Sequence, residues 1–143
     1  MAENVIIPDK IKLFHIDVVS AYINDNTIDG NLNLEFSVAH NTRHNLKDER
    51  VKIELFINLL SHQEIGVKFH IDFHYNITDL KNHYELNENE IPLFSGQFIA
   101  TLIGISFSTA RGIIFQQLQE TNFKGMTLPV VSPLKMLASQ KKE

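Results

Sequence analysis

The stretch Val67-Lys68-Phe69-His70-Ile71-Asp72-Phe73-His74-Tyr75-Asn76-Ile77 alternates without a break. Val67, Phe69, Ile71, Phe73, Tyr75 and Ile77 fall on one side and Lys68, His70, Asp72, His74 and Asn76 on the other. Period two with one apolar row is the pattern of a strand with one wet face. Two earlier stretches repeat it. In 31–40 the apolar row is Leu32, Leu34, Phe36 and Val38, and in 51–60 it is Val51, Ile53, Leu55, Ile57 and Leu59. A further stretch, 11–23, is β-branched and apolar on both faces, which predicts a strand covered on both sides.

The connectors agree with an antiparallel arrangement. Asn24 to Gly30 is rich in Asn and Asp and ends in Gly, and Ser61 to Gly66 is short enough for a hairpin. Strands at about 11–23, 31–40, 51–60 and 66–77, with no helix between them, predict a four-stranded antiparallel sheet. Asn41 to Arg50 is charged and reads as a mobile loop, which would hold His44 and the end of a strand at His40.

After Pro92 the period changes to that of a helix, about 95–120, with Ser95 as its N-cap. Gly96, Ala100, Gly104, Ser108 and Gly112 recur every four residues, so one ridge of this helix is built of small side chains. Phe98, Ile99, Leu102, Ile103, Ile105 and Phe107 spread round the rest of the circumference, more than one sheet can cover. Glycine costs about 1 kcal/mol against alanine inside a helix, so the ridge needs a packing reason. An oligomer interface along those five residues supplies one. Ser132-Pro133 starts a short helix at about 133–140, and residues 1–143 read as one α+β domain.

Composition narrows the function. The chain has 143 residues, 13 basic and 17 acidic side chains, and no Cys, which excludes a disulfide framework and a thiolate metal site and disfavours nucleic acid as partner. Residues 1–10 lack the basic start and apolar stretch of a secretory signal, so a cytoplasmic location is the expectation. The apolar region 91–110 contains Pro92, Gln97, Thr101, serines and glycines, and is read as a packed helix rather than a membrane span.

No glycine-rich phosphate loop, Gly-x-Ser-x-Gly elbow or His-Glu-x-x-His motif is present, so no enzyme and no cofactor is expected. Two binding readings stand. His70, Asp72 and His74 share one strand face and could bind a small ligand, or hold a divalent metal if His15, His62 or Glu64 supplied a further ligand. Alternatively, Phe56 and Leu60, in the row of Lys52, Glu54 and Asn58, and Tyr22 and Ile23 place apolar side chains where water is expected, as a groove for extended polypeptide would. Arg111 could contact a ligand carboxylate or phosphate, but reads rather as the partner in an intersubunit or intrachain ion pair.

The C-terminal half carries a family resemblance. Ala100-Thr101-Leu102-Ile103-Gly104-Ile105, Ala110-Arg111 with Ile113-Ile114, Phe123, and Leu128-Pro129-Val130-Val131-Ser132-Pro133 follow one another in order. This resembles the SecB family of protein-export chaperones: a helix with an Ala-Arg pair, a Phe soon after its end, and a Leu-x-Pro-Val-like segment before a short last helix. The motif similarity covers about 45 residues, and the strand number and order extend it to about 125.

The resemblance implies a homotetramer, a dimer of dimers with the long helices inside. It also implies an ATP-independent holdase that binds unfolded or precursor polypeptides in apolar grooves, with Tyr22, Ile23, Phe56, Leu60, Met126, Leu128 and Met136 as groove residues. Members serving the translocation motor SecA carry a Lys-Asp-x-Ser-Phe-Glu-like run in the first strand, where this chain has Val18-Val19-Ser20-Ala21-Tyr22-Ile23, and it lacks their Trp. Docking on SecA is thus open, the alternative being a divergent SecB-like protein with another partner, such as an antitoxin-linked chaperone.

Overall fold

In a computed structural model of the chain, residues 5–24, 34–61, 64–121, 128 and 132–136 are described. Four long strands, β1 (Ile11–Ile23), β2 (Leu34–Asn45), β3 (Arg50–Ser61) and β4 (Glu64–Ile77), form one antiparallel sheet in the order β1-β4-β3-β2. Strands β2 to β4 follow one another as hairpins, and β1 lies on the free side of β4. A small hairpin, β5 (Tyr84–Leu86) with β6 (Pro92–Phe94), leads into α1 (Gly96–Gln117). The last helix, α2, is described over 133–136. This is the α+β arrangement that the periodicity predicts.

Burial follows the alternation. The apolar rows of β3 and β4, from Val51 to Leu59 and from Val67 to Ile77, are buried beneath α1, which turns Phe98, Leu102, Ile103, Phe107 and Ile114 toward them. Each such side chain contributes roughly 1.5–3 kcal/mol on removal from water. Tyr75 ties the layers together: its hydroxyl donates to the Leu102 carbonyl at 3.2 Å and lies 2.7 Å from Ser106 Oγ. Burial pushes the Tyr75 phenol up to about 12 against the opposing Ser106 hydrogen bond, so it stays neutral. At the start of α1, Ser95 Oγ caps the Phe98 amide, His83 stacks on the Phe98 ring at 4.3 Å, and the Ser95 amide donates to the His83 carbonyl.

Strand β1 departs from expectation. Register shifts between Leu13 and His15 and between Val18 and Ser20 place Phe14 and Val19 as extra residues. Each bulge re-phases the strand. Ile11, Leu13, Ile16, Val18, Ala21 and Ile23 thereby stand opposite the apolar row of β4, and Lys12, His15, Asp17, Ser20 and Tyr22 opposite its polar row. The strand that reads as apolar on both faces is an alternating one interrupted twice. Nor is it covered on both sides: α1 packs on β3 and β4, and β1 is exposed over most of its length.

The segment 41–50 is also corrected. Strand β2 continues to Asn45, so His40 and His44 are strand residues rather than loop residues. A tight turn replaces the loop because Asn45 Oδ1 accepts from the Asp48 amide, Leu46 packs against the core, and Glu49 takes the left-handed conformation at φ 55°. The Glu49 carbonyl accepts from Ile77 and its carboxylate from the Leu80 amide, pinning the turn to β4. His40 is buried, with Nε2 3.2 Å from the Met136 carbonyl. The β5–β6 hairpin escaped the sequence reading because three-residue strands are too short to show a period.

Candidate functional site

Three surfaces bear on function. The first is the sheet face away from α1, where the register sorts charge into rows. One row crosses all four strands as Arg43, Lys52, His74 and His15; the next is Asn41, Glu54, Asp72 and Asp17; a third is Ala39, Phe56, His70 and Ser20. Like charges directly opposite one another destabilise a sheet. Here they are compensated along the strands and diagonally: Lys52 Nζ lies 3.2 Å from Glu54 and 3.8 Å from Asp72, and Arg43 Nε lies 3.2 Å from Glu54.

Burial by itself raises the Glu54 carboxyl, but the hydrogen bonds from Lys52 and Arg43 outweigh it and hold that carboxyl below the usual carboxylate range. His74 is depressed, first by burial and then by the neighbouring His15 and Lys52, against the pull of Asp72 and Asp17.

The metal reading finds two of its three residues together. His70 Nε2 lies 2.8 Å from Asp72 Oδ1, and the third group brought near them is Glu54, with ligand atoms of all three within 4.8 Å. His74 belongs to the next row, its ring 5.3 Å from that of His15. Glu54 could have been found only from the β3–β4 register, which no local pattern reveals. Both carboxylates already face cations, so a divalent ion would have to displace the Lys52 ammonium. His62 lies outside the described residues.

The second surface is a groove of about 760 Å³ between the small ridge of α1 and the start of α2, lined by Ala100, Gly104, Ile105, Ser108, Pro133 and Leu134 among others. Three of the five ridge residues meet there, and Gly96 and Gly112 continue the line along α1. An added Cβ at Gly104 would stand 3.2 Å from Pro133 Cγ, whereas one at Gly112 would meet nothing within 4 Å.

Third, apolar side chains are exposed by 37% to 59% in two sets, Ile16, Val18 and Val19 on β1, and Leu86, Ile91 and Leu93 on and beside the β5–β6 hairpin.

The groove residues named from sequence do not form one patch. Tyr22, half-exposed, stands opposite Lys68 on the charged face, with Phe56 and Leu60 in the same face's β3 row. Phe56 stacks on His70 at 4.4 Å. Ile23 packs at the edge of the core. Leu128 and Met136 are inside the core cluster at 3% and 6% exposure, and Met126 lies outside the described residues. Arg111 Nε donates to the Leu128 carbonyl at 3.1 Å and so holds Leu128 against the helix.

No protein-family profile matches the sequence, and no curated protein matches it. Among solved structures the chain is similar to the Rv1957 SecB-like chaperone of Mycobacterium tuberculosis, determined in complex with a ChAD peptide from the Rv1956 HigA1 antitoxin. The match has a TM-score of 0.57 and covers 87% of this chain and 90% of that one, at 10% identity. The fold is SecB-like. At that identity the likeness lies in the path of the backbone. Among the described residues, the outer half of β1 and the Ser108 and Gly112 end of the small ridge of α1 are exposed, whereas Ala100 is buried.

Proposed function

We propose that the chain is an ATP-independent holdase that binds unfolded or precursor polypeptide through apolar surface, performs no catalysis, and works in the cytoplasm as a homotetramer, a dimer of dimers. The observation that carries this reading is uncovered apolar surface on a SecB-like subunit. Among the described residues, the thirteen-residue strand β1 is paired on one side only, with β4, and α1 exposes Ile105, Ser108 and Gly112. Long apolar edges are normally blunted, because an unpaired strand recruits another chain.

Helix α1 is apolar and long enough to cross a membrane, yet half of its most apolar window is buried inside the subunit, which supports a packed helix. The antitoxin peptide held by the structural neighbour supports a polypeptide client over a small ligand. Extended clients suit such a surface, since affinity accumulates over many weak apolar contacts.

The test is the mass of the purified protein by sedimentation, with and without an excess of a slowly folding client diluted from denaturant. The expected result is a mass near four subunits that gains one client chain, unchanged by ATP. A monomer that ignores the client would overturn both assembly and function.

A further inference from the structure

The first bulge of β1 throws Phe14 out of register, and His15 takes the place opposite His74 on β4. In a regular strand Phe14 would meet His74 and His15 would turn to the α1 side; bulges re-aim side chains in this way. The two imidazoles have centroids 5.3 Å apart and planes inclined at 44°. Two imidazoles on one tetrahedral ion, each nitrogen about 2.1 Å from it and each ring centre about 1 Å further back, stand roughly 5 Å apart. The pair therefore already has the spacing that a shared ion requires. Neither ring hydrogen-bonds to another described residue, whereas His70 is engaged with Asp72.

The next row supplies charge. Asp17, on the same face of β1, stands opposite Asp72. Two carboxylates directly opposite destabilise a sheet unless a cation meets them. Asp72 has Lys52 and His70, but Asp17 is exposed and in no ion pair among the described residues. The Asp17 carboxylate is near enough to His74 to pull against the burial that depresses it. The neighbouring cations are engaged: Lys52 with Glu54 and Asp72, Arg43 with Glu54, and Arg50 over the Phe14 ring.

We propose that His15, His74 and Asp17 form a binding site for a divalent metal ion of the zinc class, held between β1 and β4. Two imidazoles and one carboxylate are a donor set that suits such ions, with water completing the coordination. The two rings define the site, and Asp17 turns its exposed side chain onto the ion. The donors of Glu54, His70 and Asp72 are taken by Lys52, Arg43 and one another; those of His15 and His74 are not. A bound ion clips the edge strand to β4 and stabilises the folded subunit by linkage. The site lies on the sheet face away from α1 and does not rest on the holdase reading.

The experiment is isothermal titration calorimetry of the untagged full-length protein, stripped with EDTA and dialysed, with zinc chloride and no client present. One ion per subunit is expected to bind, and the thermal midpoint to rise with zinc. His15→Gln and His74→Gln are each expected to remove this binding, and Asp17→Asn to weaken it about tenfold. His70→Gln is expected to leave it intact. In the unaltered protein, the ring-nitrogen resonances of His15 and His74 are expected to shift on addition of zinc while those of His70 stay, a readout that holds even where a variant fails to fold. Absence of heat with zinc in large excess would overturn the proposal, as would unchanged uptake in folded His15→Gln and His74→Gln. Uptake lost in His70→Gln but kept in His15→Gln would also overturn it and assign the ion to Glu54, His70 and Asp72.

Discussion

Tyr75 joins the two layers of the subunit through one hydroxyl, flanked by the Leu102 carbonyl and Ser106 Oγ. Tyr75→Phe keeps the ring and strands the buried serine, which is expected to cost about 1–3 kcal/mol by denaturant unfolding. The charged face sets the response to acid. The folded value of His74 lies below the ordinary 6.5, so the unfolded chain takes up that proton first, and stability falls as pH drops through 6.5 toward the folded value. Glu54 has a folded value below the ordinary one as well, so its contribution is present at neutral pH and is lost as pH falls through that lower value. The thermal midpoint is therefore expected to be lower near pH 5 than at pH 7. In His74→Gln the slope between them should be shallower, measured by calorimetry at matched ionic strength.

At the scale of elements, the bulges of β1 and the contact between α1 and α2 decide what the subunit displays. The bulges keep Ile16 and Val18 on the α1 side without bringing them under the helix, which makes a bare strip from residues that would otherwise be core. Helix α2 is held by the His40–Met136 hydrogen bond and by Pro133 against Gly104. Gly104→Val sets a Cβ 3.2 Å from Pro133 Cγ, with two methyls beyond it, and is expected to lift α2. Hydrogen exchange at the Met136 amide, which donates to the Ser132 carbonyl, should accelerate while amides in β3 and β4 stay protected.

For the whole molecule, the discriminating position is Gly112. An added Cβ there meets nothing within 4 Å among the described residues, and leucine favours helix over glycine by roughly 1 kcal/mol. A lone subunit would therefore gain stability from Gly112→Leu, whereas one whose ridge packs on another copy would lose its assembly. The proposed tetramer predicts a sedimentation mass that drops below four subunits with circular dichroism preserved. Wild-type mass in that variant would place the subunit contact elsewhere than on the ridge.

The sequence by itself determined the sheet, the helix and the identity of most of the core. Alternation in 51–60 and 67–77, Ser95 as a cap and the spacing of α1 are local signals, and local signals survive without knowledge of the fold. Tertiary structure alone decided what depends on register and coverage. No pattern within β1 announces that Phe14 and Val19 are bulged out, since a bulge is defined by the partner strand. Nothing in 41–50 shows that Asn45 and Glu49 close a turn onto β4, and its charge alone suggested a loop. Glu54 joins His70 and Asp72, and His15 meets His74, because β1, β3 and β4 meet in one particular register. A single-residue slip exchanges the faces of a strand, so which side chains share a site is a property of pairing between strands that lie far apart in the chain.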